Sequence, residues 1–239
     1  IIDVNTGENL NRETKKTALT VEEIEKGSFD HFMIKEIYET PERATNHIRM
    51  IEKHPAYSEA AKILSRGKRT FITGAGTSFH ASLLGKYYFS SIAGILLNNS
   101  FASEFAPLYS NTLRSDDRLI AVSQSGETKD VKNVLDEFRN KGGDKVISLV
   151  NNIGSTIALN SDIVLPINSQ LEVSVPATKT FTNQAISFLY LAREIARING
   201  LEQPQLDFNS IPEYIEKSIE KAEKDIIELV NILKDEKEY

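Results

Sequence analysis

Apolar positions along the chain follow two rhythms. The stretches 69–73, 94–97, 119–122, 146–150 and 163–167 are short continuous apolar runs bounded by glycine and polar residues. Segments with helical spacing lie between them, at 77–88, 102–109, 131–138 and 181–197. Strands that are apolar on both faces belong to parallel sheets covered by helices on either side. The pattern predicts an α/β fold with a five-stranded parallel sheet, helices on both faces, and helical flanks at the N- and C-terminal ends. In such sheets ligands bind at the carboxyl ends of the strands, where the strand order switches.

The flanks read differently. Residues 1–4 look like the end of a strand, 5–8 like a turn, and the segment to Thr17 is polar and irregular. A start on a strand without Met predicts a piece excised from a longer protein, and 237–239 carry no stop signal. From Phe29 the spacing turns helical: Asp30 can cap a helix holding Phe32, Met33, Ile34 and Ile37. Thr40-Pro41 predicts the start of another, with proline at its first position. A third helix is expected at 55–65, ending near Gly67. These helices are expected to pack over a sheet edge or a second subunit, with His47 or the 30–54 segment at that interface. After Gly200 and a Pro-containing break, a charged helix at 211–234 carries the stripe Ile215, Ile219, Ala222, Ile226, Val230 and Leu233.

Composition narrows the chemistry. With 239 residues, net charge −6 and no cysteine, the chain has no thiolate metal site, disulfide or cysteine nucleophile. An acidic balance without a basic stripe argues against nucleic acid or an anionic membrane as partner. No apolar run is long enough to cross a bilayer, so a cytoplasmic location is expected. The four histidines lack paired metal-ligand spacing, and no cofactor is called for.

Two strand-to-helix turns carry the candidate chemistry. AVSQSGETKD, residues 121–130, is almost wholly hydroxyl and glycine: Ser123, Gln124, Ser125, Gly126, Glu127 and Thr128. A helix start exposes N–H groups and the positive end of the dipole, and hydroxyls add donors without charge. A phosphate monoester suits that turn, although Ser and Thr serve equally as plain helix caps. The turn TGAGTSFH, residues 73–80, brings Thr77 and Ser78 to the same sheet edge. It lacks the lysine of a P-loop and the G-x-G-x-x-G spacing of a dinucleotide site. A third polar loop, residues 172–179, leads into the last long helix, and its Lys179 is expected as a solvated surface charge.

GAGTS paired with SQSGET, followed by VPATKTFTNQ, resembles the sugar isomerase (SIS) domain. With FDHFMIKEI at 29–37 and Ser103-Glu104-Phe105, the chain is similar more closely to the isomerase half of the glutamine–fructose-6-phosphate aminotransferase family. The resemblance covers nearly the whole chain and implies a doubly wound, flavodoxin-like sheet. It implies that Ser123, Ser125 and Thr128 hold a phosphate. Gln124, Thr77 and Ser78 would meet phosphate or sugar hydroxyls, and Val175 would offer its backbone. The partner so implied is a phosphosugar, fructose 6-phosphate or glucosamine 6-phosphate, in a homodimer. The family's usual Cys is Ala75 here, a change of little consequence. Its glutaminase Cys, the catalytic Glu and His of a second SIS subdomain, and the Schiff-base Lys have no counterparts in this sequence. The division so implied is a linker remnant after a glutaminase domain at 1–28, a SIS domain at 29–200, and a helical linker toward a second SIS domain at 201–239. No catalytic residue is then expected in the chain. Two alternatives stand beside this. A self-contained phosphosugar aldose–ketose isomerase would use Glu104 or Glu172 as base with His80, though Glu104 is expected to make structural hydrogen bonds and His80 to face a helix surface. A phosphosugar-sensing module without chemistry is the other, disfavoured by the lack of a DNA-binding element.

Overall fold

The computed structural model describes residues 6–7, 25–202 and 205–235. The expected strand end at 1–4, half of the turn at 5–8, the polar stretch to Thr17 and the terminal 237–239 lie outside them. Helix α1, Phe32–Ile51, is followed by α2, Pro55–Leu64. Pro41 sits inside α1, so the second helix expected from Thr40-Pro41 does not exist. The stripe Glu36, Thr40, Ala44, His47, Ile48 and Ile51 stays buried on one face through the proline, so tertiary packing keeps the helix whole. Threonine hydroxyls on either side bond helix carbonyls where proline disturbs the ladder: Thr40 Oγ1 to Glu36 O at 2.9 Å and Thr45 Oγ1 to Pro41 O at 3.0 Å.

The α/β core is β1 (Thr70–Gly74), α3 (Thr77–Ala93), β2 (Leu97–Phe101), α4 (Phe105–Tyr109), β3 (Arg118–Ser123), α5 (Lys129–Asn140), β4 (Lys145–Val150), α6 (Thr156–Leu159), β5 (Ile163–Pro166) and α7 (Lys179–Ile198). Helix α8, Ile211–Leu233, follows. The strand expected at 94–97 begins only at Leu97. Gly94, at φ 67°, closes α3 in the left-handed region, and Ile95 N–H returns to Phe89 O at 2.9 Å, so 94–96 finish the helix. The short α6 has no counterpart in the apolar pattern, because four residues give no period to read.

The sheet is parallel with order β2-β1-β3-β4-β5, as expected for a doubly wound fold. All five residues of β1 and all six of β3 are buried. Successive residues point to opposite cores. Ile72, Ile120, Val122, Ile147 and Leu149 join the face packed by α1, α2, α3 and α7. Phe71, Leu119, Ala121, Val146 and Val150 join the face packed by α5 and its neighbours. The strand order reverses between β1 and β3, and both hydroxyl turns emerge there.

His47 is completely buried within the subunit, contrary to the expectation of an interface position. Its Nε2 lies 2.8 Å from Ser187 Oγ, and its ring meets Tyr57 edge-on. Burial pushes the imidazole down to about 3, opposed by a hydrogen bond with the Asn183 backbone. In the unfolded chain the same ring takes a proton near pH 6.5. Below that pH the unfolded state binds one more proton than the folded state. Stability therefore falls with acidification by about 1.4 kcal/mol per pH unit, down to the folded value. Urea unfolding of the unsubstituted chain and of His47→Gln, which keeps an Nε2 donor, should show the acid slope reduced in the variant by about one proton between pH 6.5 and pH 4. Equal slopes would place the acid sensitivity elsewhere.

Candidate functional site

At the carboxyl edge of β1 and β3 lies a cavity of about 360 Å³, lined by Ala75, Gly76, Thr77, Ser78, Gln124, Ser125, Thr128, Glu172, Ser174, Val175 and Ala177. Six of the seven residues singled out in the sequence meet there: Thr77, Ser78, Gln124, Ser125, Thr128 and Val175. The seventh, Ser123, is buried behind the wall and does not line it. A larger groove of about 650 Å³ runs between α1 and α8, but its walls are Ile34, Ile37, Ile215, Ile219, Ile226 and similar residues. It offers little to recognise a polar molecule, so the chemistry belongs to the smaller cavity.

The β3–α5 turn is held from within. Ser123 Oγ accepts Gly126 N–H at 3.0 Å and shares a hydrogen with Thr128 Oγ1 at 2.9 Å. Ser125 Oγ accepts Glu127 N–H at 3.1 Å. These hydroxyls close the turn rather than cap the helix: Thr128, the N-cap of α5, makes no side-chain cap bond, and neither does Gly76 at α3. Two helix starts thus face the cavity without a side-chain cap, which is the arrangement that favours an anion. Gly126 has φ 69°, and a Cβ there would lie 1.8 Å from Ser155 Oγ, so only glycine fits between this turn and α6.

Charges near the turn are directed away from it. Glu127 reaches α6, where its Oε1 accepts Thr156 N–H at 2.7 Å and its Oε2 accepts Thr156 Oγ1 at 2.9 Å. The Thr156 backbone bond first, then the Thr156 hydroxyl and Lys132, hold its carboxyl below the usual range. Lys179 is not the solvated charge expected: it is 2% exposed and its Nζ meets Glu39 Oε2 at 2.6 Å. Glu172 Oε1 accepts from Thr178 N at 2.8 Å, Thr178 Oγ1 at 3.1 Å and Thr180 N at 3.2 Å, and so caps α7. His80 is exposed, edge-on to Phe101, and Glu104 is exposed in a short turn; neither lines the cavity.

Two residues with a part in the site were missed in the sequence. Gln184, 1% exposed on α7, donates Nε2–H to Ser78 Oγ at 3.0 Å. With that lone pair occupied, the Ser78 hydroxyl keeps its own hydrogen to donate. Glu36 of α1 binds the backbone at Val173 and Ser174. The only signal for Gln184 is polarity on an otherwise apolar helix face, shared with Asn183 and Ser187.

Fold and site together define a class: the chain belongs to the SIS-domain family, whose sequence pattern matches residues 63–193. The relatives narrow this further. It is 36% identical over 231 residues to glutamine–fructose-6-phosphate aminotransferase (isomerizing) of Aeropyrum pernix, covering 94% of this chain and 37% of that protein. To the enzyme of the same name from Pyrococcus horikoshii it is 33% identical over 241 residues, covering 100% and 40%. The chain thus spans well under half the length of these curated relatives. The C-terminal domain of glucosamine-fructose-6-phosphate aminotransferase from Francisella tularensis superimposes with a TM-score of 0.74 at 24% identity, covering 88% of this chain and 61% of that one, and shares its fold.

Gly126→Ala should both strain the turn and strike Ser155, lowering stability by about 1–3 kcal/mol or more in denaturant unfolding. Ser155→Gly in the same chain should recover part of the loss. Additive effects of the two substitutions would show that the 126–155 contact does not constrain the turn.

Proposed function

We propose that this chain is the phosphosugar-holding unit of an aminotransferase that makes glucosamine 6-phosphate from fructose 6-phosphate and glutamine. The observation that carries the reading is the cavity itself: two hydroxyl turns from β1 and β3, each ending at a helix start without a side-chain cap. The names of the full-length relatives supply the substrate. Ser125, Thr128 and Ser78 hold the phosphate with neutral donors. Gln124, Thr77 and the Val175 backbone meet phosphate or sugar oxygens, while Ser123 orients Thr128 from behind. A homodimer in the cytoplasm goes with this reading.

In the complete enzyme, ammonia adds to the sugar carbonyl, whose oxygen leaves as water, and a base then moves a proton from C1 to C2. This unit holds and orients; the phosphate grip supplies binding energy remote from the reacting carbons. The chain alone does not turn over substrate. The carboxyl group among the lining residues, Glu172, is held by three hydrogen bonds on Oε1 in capping α7, a structural role that speaks against its being the base of a self-contained isomerase.

Calorimetric titration should show fructose 6-phosphate binding, fructose not binding, and inorganic phosphate binding weakly. Ser125→Ala with Thr128→Ala should lower fructose 6-phosphate affinity by about a hundredfold or more, since hydrogen bonds to a charged group contribute about 1.5–3 kcal/mol each. The circular dichroism spectrum should not change. Undiminished binding in the double variant would move the phosphate away from this turn, and aldose–ketose turnover by the chain would favour the isomerase.

A further inference from the structure

The wall facing the hydroxyl turns is the loop 167–178, and it is gripped at two levels. At its root, Asn151 Oδ1 accepts Ser169 N–H at 2.9 Å, and Asn151 Nδ2 donates to Gln170 O at 2.6 Å. Asn168 and Gln170 both take positive φ, 52° and 58°, a backbone conformation that persists in residues with a Cβ only when surrounding contacts enforce it. At its tip the grip comes from outside the α/β core. Glu36, 2% exposed on α1, accepts Val173 N–H at 2.6 Å and Ser174 N–H at 3.2 Å on Oε1, and Ser174 Oγ–H on Oε2. One turn later Glu39 meets Lys179 at 2.6 Å, tying α1 to the start of α7 where the loop ends. Ser174 therefore faces α1 with its amide and its hydroxyl, while Val175 beside it stands 99% exposed at the cavity.

We propose that Glu36 is a positioning residue for this site: through Val173 and Ser174 it sets the wall opposite the hydroxyl turns, and with it the affinity for the sugar half of a phosphorylated ligand. The inference rests on the phosphosugar reading above. A carboxylate is an acceptor with two oxygens, matched here to three donors presented by two successive residues. Removing it leaves two backbone N–H groups without that partner, and the loop must move to find another. The phosphate side, Ser125 and Thr128 on the β3–α5 turn and Ser78 on α3, makes no hydrogen bond to Glu36 and is untouched. The device thus separates the two halves of the ligand. A residue from an N-terminal helix governs the sugar half, and the turn governs the phosphate.

The test compares the unsubstituted chain, Glu36→Ala and Glu36→Gln by calorimetric titration with fructose 6-phosphate and with inorganic phosphate. Amide hydrogen exchange is followed at Val173 and Ser174 and at the core strands. Glu36→Ala should weaken fructose 6-phosphate about tenfold, leave inorganic phosphate within about twofold, and speed exchange at Val173 and Ser174 but not at Ile72 or Ile120. Glu36→Gln keeps Oε1 for both amides and offers an N–H to Ser174 Oγ, so it should restore affinity to within about threefold. Unchanged fructose 6-phosphate affinity in Glu36→Ala would overturn the inference while leaving the phosphosugar reading in place. So would a parallel loss for both ligands with faster exchange throughout the sheet, which would mark Glu36 as a general stabiliser. An unsubstituted chain that binds no fructose 6-phosphate would overturn the reading, and the inference with it.

Discussion

The register of β1 against β3 is the constraint from which the site follows. Thr70 pairs with Arg118 and Gly74 with Val122, so the two strands end within one residue of each other and release their turns side by side. From that point α3 leaves to one face of the sheet and α5 to the other, because the strand order reverses between them. The two helices cannot fill the notch between their own starts. A parallel sheet packed on both faces has nowhere else for exposed N–H groups to converge, so the notch is polar by geometry. The hydroxyl residues of the two turns then decide what it can hold.

How the notch can attract an anion is a question of orientation more than of charge. Among the described residues lining the cavity there is no lysine, arginine or histidine, and Lys179 is committed to Glu39. Apart from the Glu172 carboxylate, whose Oε1 caps α7, what faces the space is a set of dipoles fixed from behind. Gln184 occupies the acceptor side of Ser78, Gly126 N–H occupies Ser123, and Ser123 in turn engages Thr128. Dipoles that are already oriented need no reorganisation on binding, and uncharged donors carry no cation whose desolvation must be overcome. Glu127 contributes by its absence: bonded to Thr156 and Lys132, its carboxylate is kept on the α6 side of the turn.

The sheet, its two packed faces and the two hydroxyl turns were legible because each is written in a local pattern. Buried parallel strands are continuous apolar runs, and glycine and serine between such a run and a helix mark a turn with exposed N–H groups. What was not legible depends on partners far away in sequence. Pro41 reads locally as a helix start, yet the stripe from Glu36 to Ile51 packs as one face and overrides it. Lys179 reads as surface charge because Glu39, 140 residues earlier, is invisible from its own neighbourhood. Glu36 and Gln184 look like ordinary helix residues until tertiary structure puts 138 and 106 residues of chain separation within a hydrogen bond. Ser123 entered through the family resemblance as a phosphate contact; it is 2% exposed and does not line the cavity, a placement that a shared turn motif does not reveal.

The polar groups behind the cavity have a counterpart at the other end of the sheet. There Arg69 grips Asp117 with two hydrogen bonds, 2.7 and 2.5 Å, and Asp117 also accepts Arg114 N–H at 2.7 Å. That cluster joins the residues just before β1 and β3, with the Arg69–Asp117 charges paired and both Asp117 oxygens accepting. Past the carboxyl ends of the same two strands, the hydroxyls of Ser78 and Ser125 accept hydrogen bonds and donate none to another described residue. The difference separates a staple from a site. Only one end leaves unused donors pointing at open space, and a surplus of oriented donors is what a phosphate can complete.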